Sequence, residues 1–144
     1  MTRGLIFASM ALLLALASHC AAEPKILTLS LPNPQKVNPS NGEALYKSYC
    51  TSCHGLDGTG NGPIAHSLQT HPSDLTHLAV HYQGKYPSHH VLETLKAGPW
   101  REHANMPNWS TFFNNSSSNF GNPLVTHIRL YNLNSYIKTL QKAN

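Results

Sequence analysis

From residue 40 onward, apolar positions recur at helical spacing, and strand-like alternation is nowhere sustained. Leu45, Tyr46 and Tyr49 define one apolar face, and Ser40 with Glu43 three residues later forms a capping box at its start. This helix is predicted to run on into residues 50–54. Gly55, Gly58, Gly60, Gly62 and Pro63 follow as an open loop whose backbone can approach something flat and bulky. A short helix is expected over 63–68. Pro72, Ser73 and Asp74 mark another start, with apolar residues continuing to Tyr82, before Gly84 and Pro87 break the chain. Ser88 then caps a helix with Val91, Leu92 and Leu95 on its face and Gly98 at its C-terminal stop. Residues 99–123 carry little secondary structure, and 114–119 form a low-complexity Ser/Asn loop. The last helix is expected over 124–142, with Val125, Ile128, Leu133, Tyr136, Ile137 and Leu140 as its buried stripe. The pattern predicts an all-α protein, several helices joined by long loops, without internal repeats.

The N-terminus carries a different pattern. Thr2 and Arg3 precede an apolar run over 5–17, and small, weakly polar residues fill 18–22. This is the order of a secretory signal peptide, with cleavage expected after about Ala22. The run is shorter than the ~20 residues of a spanning helix, which disfavours the alternative of an N-terminal membrane anchor. His19 before Cys20 disfavours a lipoprotein site. The expected organisation is a signal peptide at 1–22, a Pro-rich extended leader at 23–39 and one domain at 40–144. Export places that domain in the periplasm.

The formal charge is +4, one unit of which leaves with Arg3. There is no Lys/Arg run, so the chain lacks the footprint of a nucleic-acid binder. A domain this small buries a modest share of its surface and gains from a staple or a large cofactor.

Cysteine narrows the chemistry. Beyond the signal peptide only Cys50 and Cys53 remain, as C-x-x-C followed directly by His54. The pattern reads as a c-type haem attachment site. Two thiols about one helical turn apart can form thioethers to the two vinyl groups on one haem edge, and the adjacent imidazole can bind the iron. A structural zinc site needs more ligands than these, a thioredoxin-like pair belongs in a βαβ setting, and a plain disulfide leaves His54 and the glycine loop unexplained.

The sixth ligand decides much about a haem protein. Met106 is the single methionine beyond the signal peptide, in the proline-stiffened segment Asn105-Met106-Pro107-Asn108-Trp109. Histidine is the rival, with His103 close by, and an open sixth site is the third option.

These residues resemble class I c-type cytochromes, over 40–113 and again over 124–142. Gly42 and Tyr46 precede Cys50 at the family's spacing for a small and an aromatic residue on the first helix. Leu133 and Tyr136 match the pair on the last helix that crosses it. Met106-Pro107-x-Trp109, the Gly-x-Asp-Gly-x-Gly-x-Gly-Pro run ending at Pro63, and Pro-x-Asp-Leu-Thr at 72–76 look like a bacterial subset. The leader and the Ser/Asn loop depart from compact members.

The resemblance implies the cytochrome c fold around one haem c, covalent through Cys50 and Cys53, with His54 and Met106 on the iron. It also implies a Pro63 carbonyl accepting the hydrogen bond of His54. Trp109 and Trp100 would pack on the ring, bond a propionate, or serve as ordinary core. Lys47, Lys85, Lys96 and Arg101 would ring the exposed edge near Cys50, Cys53 and Gly55, or be scattered solvated charges. The expected role is electron transfer rather than enzymatic catalysis, by a monomer exchanging electrons with respiratory complexes, oxidases or dehydrogenases. The alternatives are a haem-based sensor or enzyme with an exchangeable distal ligand, and a cytochrome subunit of a larger complex, associated peripherally with the membrane.

Overall fold

The computed structural model describes residues 36–98, 105–116 and 122–142. The expected signal peptide, most of the leader, Trp100, Arg101, His103 and residues 117–119 of the Ser/Asn loop lie outside the described residues. Among the described residues six helices follow in order: α1 (Gly42–Tyr49), α2 (Thr51–His54), α3 (Leu78–His81), α4 (Ser88–Ala97), α5 (Trp109–Asn115) and α6 (Pro123–Thr139), with a 3-10 turn at Ala65–Ser67. No strand occurs among the described residues.

The start of α1 differs from the expected capping box. Asn41 is the cap, its side chain accepting from Ala44 N–H at 2.9 Å. Ser40 is drawn away, because its own N–H donates to Asn38 Oδ1 at 2.9 Å. Ser88 likewise does not cap α4. It is the first helical residue, and its hydroxyl accepts from the Asn134 side chain at 2.8 Å. The helix expected from Pro72 begins only at Leu78, and Asp74 organises a turn instead.

Helix α6 packs against α1, α4 and α5 and forms the spine of the core. Its buried residues are Thr126, Arg129, Leu130, Leu133, Asn134 and Ile137, a stripe rotated from the expected one. Polar residues cause the rotation. The Arg129 guanidinium lies 5.5 Å from the Phe113 ring centroid. Asn134 bonds the Tyr86 hydroxyl at 2.8 Å and Ser88 across to α4, so its burial is compensated. Hydropathy alone cannot find such a face.

The crossing of α1 and α6 is as the sequence implied. A Cβ on Gly42 would fall on the Asn132 carbonyl and come within 2.9 Å of Tyr136 Cβ, so only glycine permits this approach. The Tyr46 and Tyr136 rings meet beside it at 5.3 Å. The fully buried Tyr46 then donates its hydroxyl to the Gly55 carbonyl at 2.8 Å, linking the crossing to the residue after His54.

Candidate haem site

The motif occupies the junction of α1 and α2. Cys50 N–H donates to the Tyr46 carbonyl and His54 N–H to the Cys50 carbonyl, both at 2.8 Å, so the helical path continues through the break at Cys50. Cys50 and Cys53 are free thiols. Both line one groove together with His54, Met106, Pro107 and Trp109. The remaining wall is largely aliphatic, from Leu68, Leu75, Leu78, Val91, Leu95 and Ile137. The groove holds about 970 Å³ of empty space counted to its open mouth.

The donor set fits a covalently held haem. Burial, with the neighbouring Cys53 adding to it, pushes the Cys50 thiol up to about 12. A neutral sulfur is therefore what this position accommodates, and a thioether carries no charge where a thiolate would have to be desolvated. No group of three or more His, Cys, Asp and Glu side chains stands ready for a metal ion among the described residues.

His54 is held from behind. Its Nδ1 lies 3.0 Å from the Ser73 carbonyl. A carbonyl only accepts, so Nδ1 carries the proton and Nε2 is the basic nitrogen suited to iron. This corrects the expectation for Pro63. The loop after the motif folds back along it, with Gly60 N–H on the His54 carbonyl at 2.9 Å, Gly62 N–H on Cys53 at 2.9 Å and Ile64 N–H on Ser52 at 3.1 Å. These bonds carry Pro63 to the outer flank, where it is exposed and lines a shallow depression with Thr51, Ser52 and Leu56.

Met106 is brought to the groove by two local devices. Asn108 starts α5 by accepting from Thr111 N–H at 2.8 Å, which ends the extended segment carrying Met106. Gly98, at φ +73, stops α4, and a Cβ there would meet Asn108 Cβ at 2.6 Å. Helix α5 itself was not expected: the stretch 99–123 reads as loop because Asn and Ser dominate its flanks. Trp109 is both core and groove wall. It is buried and meets Tyr49, Phe112 and Phe113 at ring distances of 5.4 to 5.8 Å.

The groove also takes in His71 and His90, which nothing in the sequence separates from the other histidines. Two of the candidate steering cations are engaged within their own helices. Lys47 pairs with Glu43 at 2.6 Å and Lys96 with Glu93 at 3.0 Å.

Asp74 stands directly after Ser73. Burial alone would raise its pKa, but bonds from the Thr76 hydroxyl and N–H, together with His77, hold the carboxyl below its ordinary value. A depressed folded pKa contributes stability that is present above the unfolded value of ~3.9 and is lost as the pH falls through the folded one. Thermal unfolding of wild type and Asp74→Asn should therefore differ most at neutral pH and converge in acid below ~3.9. A gap that stays constant down the pH series would show that the carboxylate charge is not what matters.

The family model described as cytochrome c oxidase, cbb3-type, subunit III matches residues 37–116. The chain belongs to this family. It is a class I c-type cytochrome domain, all-α, whose work is electron transfer with a bound haem. The match spans the motif helix, the glycine loop, the 73–77 turn, α4 and the Met106 segment of the cytochrome. No curated protein and no solved structure matches the chain.

Proposed function

We propose that this cytochrome carries single electrons on one haem c, bound by thioethers to Cys50 and Cys53 and ligated by His54 and Met106. The observation that supports this is the convergence of two thiols, the adjacent His54 imidazole with its Nδ1 engaged, and one thioether on a single apolar groove. Haem, when bound, supplies an iron that alternates between ferric and ferrous states. The chain's part is to hold two ligands that stay in place in both states, so that little rearranges as the electron moves, and to keep water off most of the ring with aliphatic walls. The electron would leave by the motif's outer flank, where Cys53 is partly exposed and Leu56 is 73% exposed. With Met106 as sixth ligand no position is open for exchange, so we read a carrier rather than an enzyme.

The test is the visible spectrum of the protein matured with haem, for wild type and Met106→Ala. The weak far-red band of an oxidised sulfur–iron bond is expected in wild type and lost in the variant. Ready binding of carbon monoxide by the reduced wild type would instead favour a sensor or enzyme with an exchangeable ligand.

The charged, apolar and small-residue order of residues 1–22 supports export to the periplasm with cleavage after about Ala22. The partners would be redox proteins, met as a monomer. The family's description favours a second reading, a cytochrome subunit within an oxidase complex. Co-purification with a membrane complex separates the two.

A further inference from the structure

The Pro-x-Asp-Leu-Thr segment at 72–76 supplies the carbonyl that meets His54, and how that carbonyl is held has a cause within the segment itself. Its construction is close to saturated. Leu75 N–H donates to the Gly58 carbonyl at 2.7 Å. The Leu75 carbonyl accepts from Gln141 Nε2 at 2.6 Å, and the Thr76 carbonyl from Lys142 N–H at 2.9 Å. Thr76 is fully buried. Its N–H and hydroxyl both donate to Asp74 Oδ1, at 2.7 and 2.6 Å, while Asp74 Oδ2 meets His77 Nδ1 at 3.0 Å. The turn is thus bolted to the glycine loop on one side and to the end of α6 on the other, and Asp74 closes it from within. What it turns toward the groove is the Ser73 carbonyl, 3.0 Å from His54 Nδ1.

We propose that Asp74 is a positioning residue for the proximal imidazole: its carboxylate fixes the turn that presents the Ser73 carbonyl to His54. The inference rests on His54 being an iron ligand. It makes the donor strength of the imidazole depend on a side chain that does not touch it. Outer partners of this kind fix the ring's tautomer and raise its basicity. A more basic imidazole favours the ferric state, so loosening the turn weakens that preference.

The experiment compares the haem-loaded wild type with Asp74→Ala and Asp74→Asn. Asparagine keeps a carbonyl oxygen that can accept from Thr76 in the same turn. The expected result is an upward shift of the reduction potential in Asp74→Ala, with altered hyperfine-shifted NMR resonances of His54 and faster exchange of its Nδ1 proton. Asp74→Asn should return all three close to wild type. If Asp74→Ala melts earlier but leaves the potential and the His54 resonances unchanged, Asp74 supports only the fold and the proposal is wrong. Should Asp74→Ala not fold, Thr76→Val decides: it removes one of the two bonds to Oδ1 and should shift the potential in the same direction, and no shift overturns the idea. A His54→Ala protein that keeps a six-coordinate low-spin spectrum would instead remove the ligand assignment, and the positioning role with it.

Discussion

Replacing both Cys50 and Cys53 with alanine is expected to abolish covalent haem entirely. The chain should run without haem stain on a denaturing gel, and acid–acetone should extract whatever cofactor remains. The two thiols are the sulfurs of the groove wall besides Met106, and a thioether is the bond that survives denaturation. Stability should fall with the cofactor. The groove's aliphatic wall is built against something, and a domain of this size has few other means of covering it. Cooperative thermal unfolding should become broad or disappear. Haem that stays on the double variant through a denaturing gel would place the attachment elsewhere and undo the reading of the motif.

Gly42→Val should be the most damaging change away from the groove. A side chain there meets the Asn132 backbone rather than a flexible group that could swing aside, with Tyr136 Cβ at 2.9 Å behind it. Overpacking a core costs about 1–3 kcal/mol, and a backbone obstacle puts this case at the upper end or beyond. The melting temperature should drop by roughly 10–15 °C for ~3 kcal/mol in a domain of this size. Because Tyr46 stands on the same crossing and bonds the Gly55 carbonyl, the loss should reach the haem site as a weakened motif turn. If Gly42→Val melts within a few degrees of wild type, α1 and α6 have room to separate and the crossing is not the constraint it appears from the backbone approach.

The site was legible where chemistry demands adjacency in the chain. Two thiols and an imidazole must be neighbours to reach one ring edge and its iron, so Cys50, Cys53 and His54 stand out as candidates without a fold. Met106 stood out by elimination, because it is the single methionine beyond the expected signal peptide. The partner of His54 was not. The resemblance offered the Pro63 carbonyl, whereas the backbone bonds of Gly60, Gly62 and Ile64 turn Pro63 outward and leave the position to Ser73. A backbone carbonyl has no side-chain signature, so which residue supplies it depends only on the path of the loop.

Helix boundaries show the same division. The apolar spacing of Leu45, Tyr46 and Tyr49, or of Val91 and Leu95, requires helices whose buried face follows the 3.6-residue period, and the structure has them. Caps went to a different residue wherever a tertiary or neighbouring bond outbid the local one: Ser40 yields to Asn41, and Ser88 turns its hydroxyl to Asn134.

Local periodicity thus determines that this chain is helical, and the spacing of reactive side chains at residues 50–54 marks it as a haem-binding cytochrome domain. The tertiary structure alone decides that α6 buries Arg129 and Asn134 rather than Val125 and Ile128, and that Ser73 stands behind His54. The physical reason is one of range. Propensity and motif spacing act within a turn or two of helix, whereas a buried polar group is tolerated, and a carbonyl is aimed, only by partners that the fold brings from far along the chain.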